Sequence, residues 1–147
     1  MVLMLLELGV KFLGKEMYKN FAILDVETTG GKFNEEKITE ISILVYDGTK
    51  IIDKFETLIN PDKDIQPYVQ RLTGITNELV KDSPKFKDVS ENIFEITKDK
   101  IIVAHNVDFD YRIIKNEFQK IKIKYQRDSL CTVDLSKIIF PDLKSYK

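Results

Sequence analysis

Residues 20–31 read NFAILDVETTGG. Phe21, Ala22, Ile23, Leu24 and Val26 form a short, nearly continuous apolar run closed by Thr28-Thr29-Gly30-Gly31, the pattern of a buried central strand. Asp25 and Glu27 interrupt that run two residues apart at its carboxyl end, so their side chains leave one face about 7 Å apart along the backbone. Two carboxylates at the mouth of a buried strand repel each other unless a cation or a proton intervenes. Oxygen-only ligands favour Mg²⁺ or Mn²⁺. A bare Asp-x-Glu is also what a solvated strand end looks like, so the rest of the chain must decide between the two.

Residues 38–46 (ITEISILVY) and 51–59 (IIDKFETLI) are β-rich runs separated by Asp47-Gly48-Thr49-Lys50, a hairpin signal. Asn60-Pro61 ends the hairpin. A short helical stretch near 66–72, a turn at 73–76 and a helix near 86–98 follow, the last with Phe86, Val89, Ile93, Phe94 and Ile96 facing inward. Ile101 to Ala104 reads as a fourth strand. From Asp108 to about Lys120, apolar residues at 109, 113, 114, 118 and 121 define a helix with one buried stripe. A short strand near 129–131 and a helix at about 133–139 close the pattern. The mixture predicts an α/β layered domain, and the hairpin makes its sheet of about five strands mixed rather than purely parallel.

The fourth strand runs directly into Ala104-His105-Asn106-Val107-Asp108-Phe109-Asp110, which places polar residues at a second strand end that opens a helix, the usual position of ligand sites in open α/β sheets. If the first and fourth strands are neighbours, Asp110 on the first helical turn can face Asp25 and Glu27. Asp108 reads as an N-cap or first-turn acid favoured by the helix dipole, and His105 as a structural hydrogen-bonding residue.

Composition narrows the chemistry further. The 147 residues are 43% hydrophobic, enough for one domain with a real core and too few for two. With 23 Lys plus Arg against 24 Asp plus Glu, the net charge is −1, which excludes nucleic-acid binding by bulk basicity and leaves room for a local basic groove. One histidine and one cysteine exclude an intrachain disulfide and any zinc site built from several thiolates or imidazoles. Metal binding must rest on carboxylates. Arg112, Lys115, Lys120, Lys122, Lys124 and Arg127 form a basic run accompanied by Glu117. It suits a phosphate backbone, and equally a solvated helix face.

The first 14 residues, MVLMLLELGVKFLG, are apolar but carry Glu7 and Lys11 and fall short of the roughly 20 residues a membrane span needs. No basic residue precedes them and no small-residue cleavage site follows. The protein is therefore expected to be cytoplasmic, with no membrane partner. Leu3, Leu6, Val10 and Leu13 recur at helical spacing, so residues 1–19 read either as a docking helix or as an extension ahead of a start at Met17. Residues 20–147 form the domain proper.

Asp25-Val26-Glu27-Thr28-Thr29-Gly30 and His105-Asn106-x-x-Phe109-Asp110 resemble, in order, the first two motifs of the DEDD 3′-5′ exonucleases of the ribonuclease H-like fold, in particular the proofreading epsilon subunit of bacterial DNA polymerase III and its relatives. Asn60-Pro61, Leu72-Thr73-Gly74-Ile75-Thr76, Cys131-Thr132, Pro141 and Tyr146 resemble further stretches of the same branch. The resemblance, which runs from about residue 20 to the last, implies a three-layer α/β domain around the mixed sheet. It further implies two divalent ions, Mg²⁺ or Mn²⁺, held by Asp25, Glu27 and Asp110 as three of four acidic ligands, with Asp25 shared between both ions. Thr28 and Thr29, in the tight turn, and Asn106 and Phe109 would meet the terminal nucleotide of a single-stranded or frayed DNA 3′ end, or of RNA, with DNA polymerase III as a possible partner. Turn chemistry alone also accounts for the two threonines, and a core position for Phe109.

Such enzymes carry a third motif, His-x4-Asp or Tyr-x3-Asp, near the carboxyl terminus. Neither follows Asp110 in these residues. The resemblance thus implies a chain that stops before the final helix and hydrolyses DNA poorly, since general-base action alone is worth about 10²–10⁴ in rate. Two other classes remain open: a catalytically inactive module of the same fold that binds nucleic acid or a polymerase, and an exonuclease for RNA 3′ ends.

Overall fold

The structure is a computed structural model that describes residues 20–146; the apolar amino-terminal segment lies outside them. The elements run β1 (Phe21–Thr28), β2 (Ile38–Tyr46), β3 (Ile51–Leu58), α1 (Pro67–Thr73), α2 (Asn77–Val80), α3 (Phe86–Ile96), β4 (Ile101–Ala104), α4 (Val107–Lys120), β5 (Asp128–Cys131) and α5 (Thr132–Ile139). The five strands form one sheet in the order β3-β2-β1-β4-β5, with β1 antiparallel to β2 and parallel to β4. This is the mixed α/β sheet expected from the sequence, and the first and fourth strands are neighbours at its centre. None of the described helices is long and apolar enough to cross a membrane.

The β2–β3 hairpin closes on Asp47. Its Oδ1 accepts the Thr49 N–H at 2.8 Å, the Thr49 hydroxyl at 2.6 Å and the Lys50 N–H at 2.9 Å. A side-chain oxygen satisfying the turn's own backbone donors is the reason Asp punctuates such turns. Gly48 supplies the positive φ of 95° that the turn needs.

Strand alternation sorts β1 into two faces. Ala22, Leu24 and Val26 face the main core with Ile41 and Ile43 of β2, Ile93 of α3 and Ile113, Ile114 and Phe118 of α4. Phe21 and Ile23 face the other side with Tyr46 and Val103. Asp25 and Glu27 continue that second face. The strand runs one residue into the turn signal, through Thr28, because β2 keeps pairing with it: Asp25 sits opposite Ser42 and Glu27 opposite Glu40. The register then jumps, with Thr28 opposite Ile38, so Thr39 is an extra residue on β2 and forms a bulge beside Glu27.

A buried aromatic frame fixes α3 against α4. The Phe118 ring stacks on Tyr125 at 4.5 Å and meets Phe86 edge-on at 5.1 Å. The Tyr125 hydroxyl donates to Thr97 Oγ1 at 3.0 Å. Arg127 completes the frame: its Nε donates to the Thr97 carbonyl at 2.9 Å, its Nη2 to the Phe94 carbonyl at 3.0 Å, and its guanidinium lies over the Phe94 and Tyr125 rings at 4.5 and 4.7 Å. The carbonyls at the end of α3 are thus satisfied by a planar cation, as helix C-termini require. Arg127 is therefore part of the framework and not of a basic surface. Arg127→Ala is expected to cost about 1–3 kcal/mol through unsatisfied carbonyls, where a solvated arginine would cost less than roughly 0.5; urea denaturation with an unchanged m-value measures the difference.

Candidate active site

The site is made by a gap in the sheet. β4 follows β1 only through the pairs Phe21–Ile101, Ala22–Ile102 and Ile23–Val103, and the chain then leaves the sheet at His105. Beyond Ile23 the β4 side of β1 has no strand partner, so its backbone donors must find another acceptor. Asp110 supplies it: its Oδ1 accepts the Val26 N–H at 3.1 Å, a buried bond between residues 84 apart in sequence. The first turn of α4 is thereby fastened to the strand that carries Asp25 and Glu27.

Asp110 was expected to face those two acids from the helix start, and the structure puts it beside the strand between them. It is only 5% exposed, part of the buried stripe that α4 forms from Val107, Asp110, Ile113, Ile114, Glu117 and Phe118. That stripe differs from the one read from apolar residues, because two of its members are acids and Phe109 lies off it, 36% exposed. Phe109 is thus available at the surface and is not a core residue. Among the described residues, no three His, Cys, Asp or Glu side chains are already gathered as a metal site.

Burial pushes the Asp110 carboxyl up to about 7, the Val26 N–H works against the rise, and the charges on Asp25 and Glu27 add to it. Burial also raises Glu27, with Asp25 and Glu40 adding to it. The charges acting on both groups are negative. An all-oxygen donor set of this kind, strained by its own charge, fits a hard divalent cation.

The flanking residues divide into framework and surface. Thr29 is fully buried. Its N–H donates to the Lys37 carbonyl at 2.9 Å, its hydroxyl donates to Gly30 O at 3.0 Å and accepts the Lys37 N–H at 3.2 Å. Its place is that of the residue that closes the turn. Thr28, at the end of the strand, accepts the Gly30 N–H at 3.4 Å. Gly30 has φ 68°, and a Cβ there would come within 2.7 Å of Val69 Cγ2 and 2.9 Å of the Tyr68 hydroxyl on α1. Asn106 takes the left-handed conformation, φ 63°, as the N-cap of α4 and is exposed. Asp108 is an exposed acid of the first turn. His105 Nδ1 lies 3.0 Å from the hydroxyl of buried Thr132, the structural hydrogen bond expected of it, which ties the end of β4 to the start of α5. Beside this corner a cavity of about 540 Å³ is lined by His105, Asn106, Val133, Ser145 and Tyr146.

The basic run disperses. Besides Arg127, Arg112 is paired with Glu36 at 3.1 Å and Lys120 with Glu117 at 2.7 Å. The neutralising partner of Arg112 lies 76 residues away in sequence, which no local charge count finds.

Two stability outcomes follow from these contacts. Because Asp110 titrates near 7 when folded and near about 4 when unfolded, the native state holds an extra proton between those values. Stability contributed by this group is full below about pH 4 and is lost as pH rises to about 7. Asp110→Asn, which keeps an acceptor for Val26, is expected to flatten that slope and raise Tm by several degrees near pH 8, as calorimetry at several pH values would show. Gly30→Ala is expected to cost about 1–3 kcal/mol, from positive φ and from the contact with α1, measured by chemical denaturation.

Residues 22–147 match the RNase_T exonuclease family. The chain is 37% identical over 128 residues to the 3′-5′ exonuclease DinG of Staphylococcus epidermidis, covering 86% of this chain and 14% of that protein. Against the PolC-type DNA polymerase III of Caldanaerobacter subterraneus it is 37% identical over 127 residues, 86% of this chain and 9% of that one. It thus spans a small part of the length of these relatives. Among solved structures it superposes on exonuclease X in complex with 5′ overhanging duplex DNA with a TM-score of 0.69 and 27% identity, over 86% of this chain and 68% of that one. The matched span takes in both the Asp25–Glu27 strand and the Asp110 helix, and the chain belongs to the RNase_T family of exonucleases.

Proposed function

We infer that this chain is the nuclease domain of a divalent-metal-dependent 3′-5′ exonuclease that removes nucleotides from DNA 3′ ends in proofreading or repair. The observation that carries this reading is the Val26–Asp110 bond, which holds the helix acid against the strand of Asp25 and Glu27. Exonuclease relatives of both DinG and PolC type support it.

Asp25, Glu27 and Asp110 would hold the metal, two Mg²⁺ or Mn²⁺ ions. Bound metal supplies a water of lowered pKa and charge stabilisation for the departing 3′ oxygen. The chain's own residues do the positioning. The Glu27–Gly30 turn, locked by Thr29 and with Thr28 buried behind it, would offer its backbone as one wall for the terminal nucleotide; Asn106 and exposed Phe109 would form the other. Hydrolysis breaks the bond from phosphorus to the 3′ oxygen of the preceding nucleotide, adds the water oxygen to phosphorus and releases a nucleoside 5′-monophosphate. The PolC-type likeness favours a polymerase III partner, and a cytoplasmic location accords with this reading. Since no His-x4-Asp or Tyr-x3-Asp follows Asp110 within these residues, turnover by them alone is expected to be low.

Calorimetric Mn²⁺ titration together with cleavage of 5′-labelled single-stranded DNA and RNA tests the reading. Expected are coupled Mn²⁺ binding lost in Asp25→Ala, and slow shortening from the 3′ end of DNA. Absence of Mn²⁺ binding would instead identify a noncatalytic binding module, and faster trimming of RNA would reassign the substrate.

A further inference from the structure

The loop between β1 and β2 presents Phe33 to solvent at 72% exposure, and it is not slack. Asn34 is held in the left-handed conformation at φ 66°. Its Oδ1 accepts Arg112 Nη1 and Asn116 Nδ2, both at 3.0 Å. Arg112 also donates from Nη1 and Nη2 to the two oxygens of Glu36 at 3.3 and 3.1 Å. The Glu36 side chain is 9% exposed. The edges of the guanidinium are therefore spent on the loop, and its charge is paired, so Arg112 is not built to grip a phosphate. Its face is used instead: the Phe33 ring centroid lies 4.2 Å from the guanidinium carbon and that of Phe109 5.4 Å.

Resting on the functional reading above, we propose that Phe33, propped by Arg112, is a stacking post for an unpaired base upstream of the terminal nucleotide. Phe109 adjoins Asp110 in sequence, Arg112 stands one turn further along α4 and Phe33 lies against Arg112, so the three planes form one contiguous set that begins next to Asp110. An exposed aromatic ring held rigidly loses little entropy on binding and accepts any base, since every base offers a π face. The post therefore recognises an unpaired strand longer than the nucleotide being removed, and reads its length and not its sequence.

The experiment is equilibrium binding in EDTA of a fluorescein-labelled oligothymidylate of about eight nucleotides, and of an abasic oligomer of the same length, to the 147-residue chain and to Phe33→Ala. Phe33→Ala is expected to weaken oligothymidylate binding roughly 5- to 100-fold, and to leave binding of the abasic oligomer unchanged. Phe33→Trp is expected to restore affinity, and because the chain has no other tryptophan, its fluorescence should be quenched by oligothymidylate and not by the abasic strand. If the unaltered chain binds single-stranded DNA and Phe33→Ala binds it within about twofold, or the tryptophan shows no quenching, the post is refuted while the exonuclease reading stands. If the unaltered chain binds no single strand, that reading fails and takes the post with it.

Discussion

One hydrogen bond organises the site. β4 stops following β1 after Ile23, and the N–H of Val26, left without a ladder partner in the middle of the sheet, is satisfied by a carboxylate from a helix. A buried backbone donor must be paired, and here the acceptor is an ionisable group in a place where its charge is costly. A single bond therefore ends the parallel ladder, docks the first turn of α4 and places a strained acid next to two others. Replacing Asp110 by an apolar residue would suit the core and orphan Val26; the polar replacement keeps the fold and removes the charge.

The aromatic frame behind this corner explains why α4 can bear that strain. Phe118, Tyr125, Phe86 and Phe94 form a continuous set of ring contacts, and Thr97 and Arg127 close the end of α3 against it. Packing of this kind far outweighs the cost of one misplaced charge. The candidate site lies at one end of the helix and its packing anchor at the other.

Much of this was legible in the residues. The apolar run of β1, the Asp47-Gly48 turn and the His105–Asp110 junction set the mixed sheet and named the acids, because each depends on local patterns of period two or on turn chemistry. What could not be read was long-range. Apolar residues alone define the α4 stripe in the sequence, yet Asp110 and Glu117 lie on it: Asp110 accepts from Val26 of β1, and Glu117 pairs with Lys120 on the same helix and with Lys37 just before β2. Phe109 falls on the apolar repeat in the sequence and lies at the surface. The basic run looked continuous because Glu36, which neutralises Arg112, and the α3 carbonyls, which engage Arg127, are distant in sequence. Thr28-Thr29-Gly30 reads as a turn, whereas antiparallel pairing with β2 carries the strand on to Thr28.

The two ends of the sheet differ in what they tolerate. At one end, period-two alternation and the Thr39 bulge fix which face of β1 carries Asp25 and Glu27, and deleting one residue there would transfer Glu27 to the opposite face. At the other end the Asp47–Lys50 turn is held by local bonds alone, and β2 runs the full length of β1 between the two. Loop extension costs little free energy where only a turn must be closed. A linker, dye or surface attachment carried at Thr49 would therefore leave the carboxylate end unobstructed, so the hairpin doubles as a handle for orienting the domain on a support.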